Sequence, residues 1–167
     1  AGAFKAHGVR MGSHDDHSAA DREKFRALGA EICEFPETLA AAEAAKARGE
    51  PVIMGAPNVV RGGSHDGKVA ADRLIEAGLV DALVSDYHYP SLARAAVRLS
   101  ARYGWSAAWD LVAGSPARIM GLEDRGRIAE GSRADLVIMD AADRIEGTIV
   151  AGSVSHLSGA LAARMLA

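Results

Sequence analysis

Four times in the first 104 residues, a short apolar run leads into a mostly alanine-rich stretch that stops at a glycine. The runs at 9–13, 31–35, 51–55 and 80–85 have the length and composition of strands, and the stretches at 18–28, 37–48, 68–77 and 91–103 those of helices. Gly29, Gly49, Gly78 and Gly104 follow these helices, where a left-handed residue ends the spiral. Ser18 with Asp21 has capping-box spacing, aspartate standing in for the usual Glu or Gln. Strands alternating with helices of this length form βαβ units and a parallel sheet, so the expected fold class is α/β. Four such units suit a small open sheet or half of an eight-stranded barrel, and the rhythm leaves both open.

The last third changes character. Residues 106–120 read as one or two helices broken near Gly114-Ser115-Pro116. Short β-type pieces follow at 127–128, 134–139 and 147–150, and the final HLSGALAARMLA resembles an amphipathic terminal helix.

Composition narrows the partners. A net charge of -3 gives no reason to expect nucleic acid or a membrane surface. No apolar run approaches the length of a membrane span, and the first residues, AGAFKAHG, lack the apolar core of a signal peptide. The lone Cys33 has no disulfide partner within the chain, which points to a reducing compartment. The chain starts with alanine, as after processing or in a piece of something longer.

In parallel α/β folds, ligands gather at the C-terminal ends of the strands. Three of the four inferred strands run into polar clusters there: Ser13-His14-Asp15-Asp16-His17, the loop 55–67 with Asn58, Arg61, Gly63, Ser64 and His65, and Ser85-Asp86-Tyr87-His88. Imidazole and carboxylate suit zinc, manganese or iron, and a carboxylate such as Asp86 can take a proton from water as general base. The arginine fork and the glycines of the loop suit an anion. Plainer readings stand beside these. His-Asp-Asp-His is too short to be a metal motif alone, and Asp15 or His17 can serve as helix-start residues. The loop can be a surface connection, although long loops in compact domains are often functional. Glu34 either lines the site or pairs with a base, and Cys33 reads as core packing.

Residues 115–140, SPARIMGLEDRGRIAEGSRADLVIMD, resemble the C-terminal signature of the amidohydrolase superfamily, with Ser115 where asparagine is usual. SHDD at 13–16, AEICEFPETLAAAEAAKARG at 30–49, MGAPNVVRGGSHDGKVAA at 54–71 and SDYHYPSL at 85–92 narrow it. Together they resemble the ribose 1-methylphosphonate 5-triphosphate diphosphatase family of the carbon–phosphorus lyase pathway. The resemblance implies a metal-dependent hydrolase of the bacterial cytoplasm that releases pyrophosphate from a phosphorylated sugar phosphonate. It implies His14 and Asp86 as metal ligands, with Asp86 also catalytic, and one or two divalent ions (Zn, Mn or Fe). By loop position and chemistry, Asn58, Arg61, Gly63, Ser64 and His65 are then triphosphate or ribose contacts, and Asp15 and Asp16, between His14 and the helix start, either support the ligands or face the substrate. The strand-6 position of the superfamily often carries a histidine ligand, and here that strand ends in Glu34-Phe35-Pro36.

The superfamily's strand-1 His-x-His and strand-4 ligand lie ahead of everything present here. The resemblance therefore covers strands 5–8 of a TIM barrel over residues 1–120 and part of a small β-sandwich over 121–152, with a terminal helix or tail over 153–167. The partners implied are the N-terminal half of the same enzyme and further copies in a homo-oligomer. Two alternatives are an inactive half-barrel that self-associates or needs its missing half, and an amidohydrolase acting on an amide or cyclic substrate.

Overall fold

The four βα units lie side by side in chain order. In the computed structural model, which describes residues 2–63 and 68–165, a short helix α1 (Gly2–Ala6) precedes β1 (Gly12–His14) and α2 (Ala19–Ala27). Then come β2 (Ile32–Glu34), α3 (Leu39–Lys46), β3 (Val52–Gly55), α4 (Ala56–Arg61), α5 (Ala71–Glu76), β4 (Ala82–Val84) and α6 (Ser91–Tyr103). Two short helices follow, α7 (Trp105–Asp110) and α8 (Gly114–Ile119). The sheet order is β1-β2-β3-β4, all parallel. A doubly wound sheet reverses its strand order part way, and this one does not. Right-handed crossovers in unreversed order bring the helices to one face.

Register shows which face that is. Ser13 pairs with Cys33, Cys33 with Val52, and Met54 with Leu83. The side chains of Cys33, Val52, Met54 and Leu83 pack with Ala42 and Ala45 of α3, Val59 of α4, Leu74 of α5, and Ala95 and Leu99 of α6. Alanine on the inner side of α3 lets the helix approach closely; Ala41, Ala42 and Ala45 are fully buried. The alternate positions project from the opposite face, as the period of two requires. There His14 is exposed, and Glu34, Ile53 and Val84 are half-buried.

One buried polar network ties β1 to the helix layer. Arg22 of α2 and Asp16 are both fully buried. The Arg22 guanidinium donates through Nη1 to Ser13 Oγ, to Asp16 Oδ2 at 3.1 Å and to the Ile32 carbonyl at 3.2 Å. Its Nη2 donates to the Ala30 carbonyl at 2.7 Å, and Nε lies 3.1 Å from Glu50 Oε2. Ser13 Oγ and Cys33 Sγ also donate to Asp16, at 2.8 and 3.4 Å. Burial, and then the Asp16 carboxylate, push the Cys33 thiol up to about 12.

The helix boundaries follow local chemistry. Ser18 accepts from the Asp21 N–H at 3.1 Å, the first half of the expected capping box, and the Asp21 carboxylate accepts from the Ser18 hydroxyl at 2.8 Å rather than from its backbone N–H. Thr38 caps α3 in the same way through the Ala41 N–H. The stretch 55–67, expected as a loop, instead starts with α4 directly off β3. Pro57 in its first turn and left-handed Gly62 at its end explain that helix. Helix α5 is correspondingly shorter than the expected 68–77.

The chain divides into two units, Ala1–Pro116 and Ala117–Ala167. The second carries an antiparallel sheet in the order β5-β6-β7, from β5 (Leu136–Met139), β6 (Ile145–Val150) and β7 (Ser153–Leu157), followed by α9 (Gly159–Met165). Two expectations are corrected here. Residues 127–128 form no strand, and Ile128 is 90% exposed. Residues 153–157 belong to a strand rather than to a terminal helix or tail. Ala151 and Gly152, with φ of 50° and 81°, supply the two left-handed residues of a tight hairpin turn, and that turn pairs β7 with β6. Buried Glu146 of β6 accepts from the Ala160 and Leu161 N–H groups at 3.1 Å each and so fixes the start of α9. Among the described residues, no helix is long and apolar enough to cross a membrane.

The network sets a stability prediction. Asp16→Ala removes one of the two carboxylates beside buried Arg22 and leaves Glu50 as the other, so it is expected to cost about 3 kcal/mol, the low end for breaking a buried pair. Glu76→Ala, which breaks an exposed pair with Arg102, is expected to cost less than about 1 kcal/mol. Urea unfolding measures both, and equal costs would remove the network from its structural role.

Candidate functional site at the strand ends

The backbone itself marks the C-terminal ends of the strands. Asp15 follows β1 with φ 60°, Phe35 follows β2 with φ 51°, and Asp86 follows Ser85 after β4 with φ 51°. Non-glycine residues rarely adopt this conformation; aspartate tolerates it, and a bulky aromatic does so only under constraint. Such positions cluster where a side chain must be aimed. The sheet bonding continues through two of these turns, with Asp15 N–H donating to the Glu34 carbonyl at 3.1 Å and Phe35 N–H to Ile53 at 2.9 Å.

His14 is the last residue of β1, and its register partner is Glu34 of β2, so both side chains project from the face that the helices leave open. The His14 ring meets the Phe35 ring edge-to-face, centroids 5.0 Å apart at 85°. Its Nδ1 lies 3.0 Å from Asp15 Oδ2. Asp86 is exposed in the turn between β4 and α6, beside Tyr87, whose hydroxyl accepts from Arg61 Nη1 at the end of α4.

A charged rim stands next to His14. Lys68 pairs with Glu37 and lies 3.7 Å from Asp15, and His17 Nδ1 lies 2.7 Å from Glu37. The Lys68 ammonium, then His17, holds the Glu37 carboxyl below its ordinary range, and Glu37 raises Lys68. His17 thus joins the start of α3 rather than a ligand set, its carbonyl also accepting from Thr38 Oγ1 at 3.1 Å.

The structure sorts the residues singled out in the sequence. His14, Asp15 and Asp86 lie at or just beyond strand ends, Arg61 and Gly63 lie at and just beyond the far end of α4, and all five are accessible to varying degrees. Asn58 Oδ1 accepts the Ala71 N–H at 3.1 Å, anchoring the start of α5. Ser64 and His65 lie outside the described residues. Asp16 is corrected from a substrate-side carboxylate to a core group, because it is fully buried against Arg22, Ser13 and Cys33. Arg22 and Lys68 carry no expectation from the sequence, and Phe35 and Tyr87 enter it only as neighbours of Glu34 and Asp86. Only Lys68 had a local signal, as the first cation after a glycine-rich loop.

The donor chemistry at His14 and Asp86 suits a divalent ion, but these residues do not complete a site. They sit on opposite edge strands, three strand spacings apart, on the order of 14 Å along the sheet. Among the described residues, no group of three or more His, Cys, Asp or Glu side chains stands close enough to hold a metal. A metal held by His14 or Asp86 would need donors beyond those the described residues bring together.

Comparison with known proteins adds to this geometry. The amidohydrolase family profile matches residues 2–156. The chain is 47% identical over 143 residues to the alpha-D-ribose 1-methylphosphonate 5-triphosphate diphosphatase of Escherichia coli K12, covering 83% of this chain and 38% of that protein. It is 41% identical over 78 residues to an adenine deaminase of Cereibacter sphaeroides, covering 46% of this chain and 14% of that one. The chain thus spans well under half the length of either relative. Among solved structures, the N-acetylglucosamine-6-phosphate deacetylase of Thermotoga maritima superposes with a TM-score of 0.66 at 16% identity, over 93% of this chain and 55% of that one. A beta-aspartyl dipeptidase from Fervidobacterium islandicum gives 0.63 at 17%, over 92% and 47%. At that identity the likeness concerns the fold: an α/β arrangement with a parallel sheet, as in amidohydrolase structures.

The rim generates a pH prediction. A carboxyl whose folded pKa is depressed contributes stability that is present above its unfolded value and lost as pH falls through the folded one. Lys68→Met is expected to move the Glu37 titration midpoint back up toward the ordinary carboxylate range, read by carboxyl-carbon NMR. An unmoved midpoint would show that Lys68 is not its partner in solution.

Proposed function

We propose that this chain, which belongs to the amidohydrolase family, is the C-terminal part of a metal-dependent hydrolase that releases pyrophosphate from ribose 1-methylphosphonate 5-triphosphate. The observation that carries the reading is 47% identity along 83% of the chain to a diphosphatase of that name. Arg61 supports it, an exposed guanidinium at the far end of α4 whose fork suits phosphate oxygens. On this reading, β1–β4 are strands 5–8 of a (β/α)8 barrel over residues 1–120. Residues 121–152 are then part of a β-sandwich, and 153–167 its C-terminal end. The partner is the N-terminal half of the same enzyme, which brings the further metal donors that His14 and Asp86 require.

The reaction is hydrolysis of a phosphoanhydride. Water oxygen bonds to the phosphorus nearest the ribose, the bond to the next bridging oxygen breaks, and pyrophosphate leaves with that electron pair. The exposed Asp86 carboxylate takes the proton of the attacking water, a role that needs an accessible ionised acid. Arg61, with Gly63 beside it, holds the polyphosphate from the β3 side, and Asn58 keeps α4 and α5 together beneath it. Asp15 is a further substrate-side carboxylate, and Ser64 and His65, outside the described residues, are further substrate contacts on this reading. A deaminase reading is the second possibility, favoured only by the 78-residue likeness to an adenine deaminase.

Full-length protein supplied with Mn²⁺ or Zn²⁺ is expected to release pyrophosphate from the triphosphate and no ammonia from adenine. Chelation abolishes turnover and the metal restores it. Asp86→Asn and His14→Asn each lower kcat at least about 100-fold while the circular dichroism stays unchanged. Ammonia release in place of pyrophosphate would replace this reading with the second.

A further inference from the structure

Phe35 occupies a conformation that its residue type disfavours. Period-two alternation along β2 places Cys33 toward the helices and Glu34 on the open face, and would return position 35 to the helix side. The left-handed turn at φ 51° prevents this. The ring instead meets His14, which projects from the open face, edge-to-face at 5.0 Å. The adjacent strand makes room for it. A Cβ added to Gly55 would lie 3.3 Å from Phe35 Cε1, tighter than ordinary contact. The Asp15 N–H donates to the Glu34 carbonyl and ties the first turn to β2, and the Phe35 N–H donates to the Ile53 carbonyl and ties the second turn to β3.

We propose that Phe35 is a positioning residue: its left-handed backbone and the bare Gly55 seat its ring against His14, fixing the plane of the imidazole at the end of β1. The value of that orientation rests on the reading of His14 as a site residue; the contact itself does not. The turn at Phe35 is held for the ring, since a glycine there would adopt the same backbone without strain.

Three measurements test it. His14 imidazole resonances, assigned through His14→Gln, are expected to shift in Phe35→Leu and also in Gly55→Ala, which crowds the Phe35 ring without touching His14. The other histidine resonances stay in place. Unmoved His14 resonances in both variants overturn the proposal. Phe35→Gly and Phe35→Ala remove the same ring, but only glycine relieves the turn. Phe35→Gly is therefore expected to have the larger folding constant, by roughly fivefold, and the reverse order overturns the strain. In the full-length protein, Phe35→Leu is expected to lower kcat roughly 10- to 100-fold while KM stays within about twofold. An unchanged kcat overturns the positioning role. If the wild-type protein releases no pyrophosphate, the functional reading falls, and the resonance and stability measurements still decide the role of Phe35.

Discussion

The guanidinium of Arg22, fully buried beneath β1 and β2, is the group on which the local geometry of the first two units depends. Strand β1 is Gly-Ser-His and offers the helix layer no apolar side chain. A buried ion pair in that place costs desolvation that only good hydrogen bonding offsets. Here the guanidinium hydrogen-bonds two backbone carbonyls, a hydroxyl and the Asp16 carboxylate, and its Nε has Glu50 as an ion-pair partner at 3.1 Å without a hydrogen bond. The carbonyls belong to Ala30 and Ile32, at and just before β2, and Ser13 and Asp16 flank His14 and Asp15. The network therefore joins β2 to the turn after β1, and the direction of His14 is set from behind, by groups that never meet solvent.

Charge around β1 and the loops after the strands falls into two populations. Arg22 and Asp16 are buried and fix backbone. Asp15, His17, Lys68, Arg61 and Asp86 are exposed at or beyond the strand ends, where the low cost of solvated charge leaves them available to a ligand. Glu37, half-buried, belongs with this rim through its bonds to Lys68 and His17. The separation follows register: positions sharing the face of Ser13 and Cys33 are enclosed by helices, and those sharing the face of His14 and Glu34 are not.

The parallel sheet, the helix-closing glycines and the capping at Ser18 were legible because each rests on local chemistry repeated along the chain. Family membership was legible from the motif blocks. The burial of Arg22 was not, since an arginine on a helix is ordinarily solvated and nothing in AADREKFRA marks one position as enclosed. Asp16 was misjudged for the same reason: its neighbours Asp15 and His17 are exposed, and only the third dimension separates them. Strand β7 escaped because SVSHL carries little apolar alternation, and its pairing comes from the Ala151-Gly152 turn rather than from its own side chains. The helix α4 was hidden in a glycine-rich stretch whose proline, in retrospect, sits where helices begin.

At helix ends this chain meets its need for a left-handed residue with glycine, although Asp143 and Ala151 take the same region in turns of the second unit. At Gly49, Gly78 and Gly104, beyond helix ends, an added Cβ would meet nothing within 4 Å, so space does not require glycine there and conformation does. After β1, β2 and β4 the same backbone region is filled by Asp15, Phe35 and Asp86. A chain with 18 glycines, placing one at each of those helix ends, has the means to relax these turns and has not. The contrast with the helix ends points to a contribution from these three side chains that glycine would not supply. For the two aspartates the conformational cost is small and the contribution is an exposed carboxylate. For Phe35 the cost is greater and no polar group is gained, which leaves the placement of its ring against His14 as the contribution.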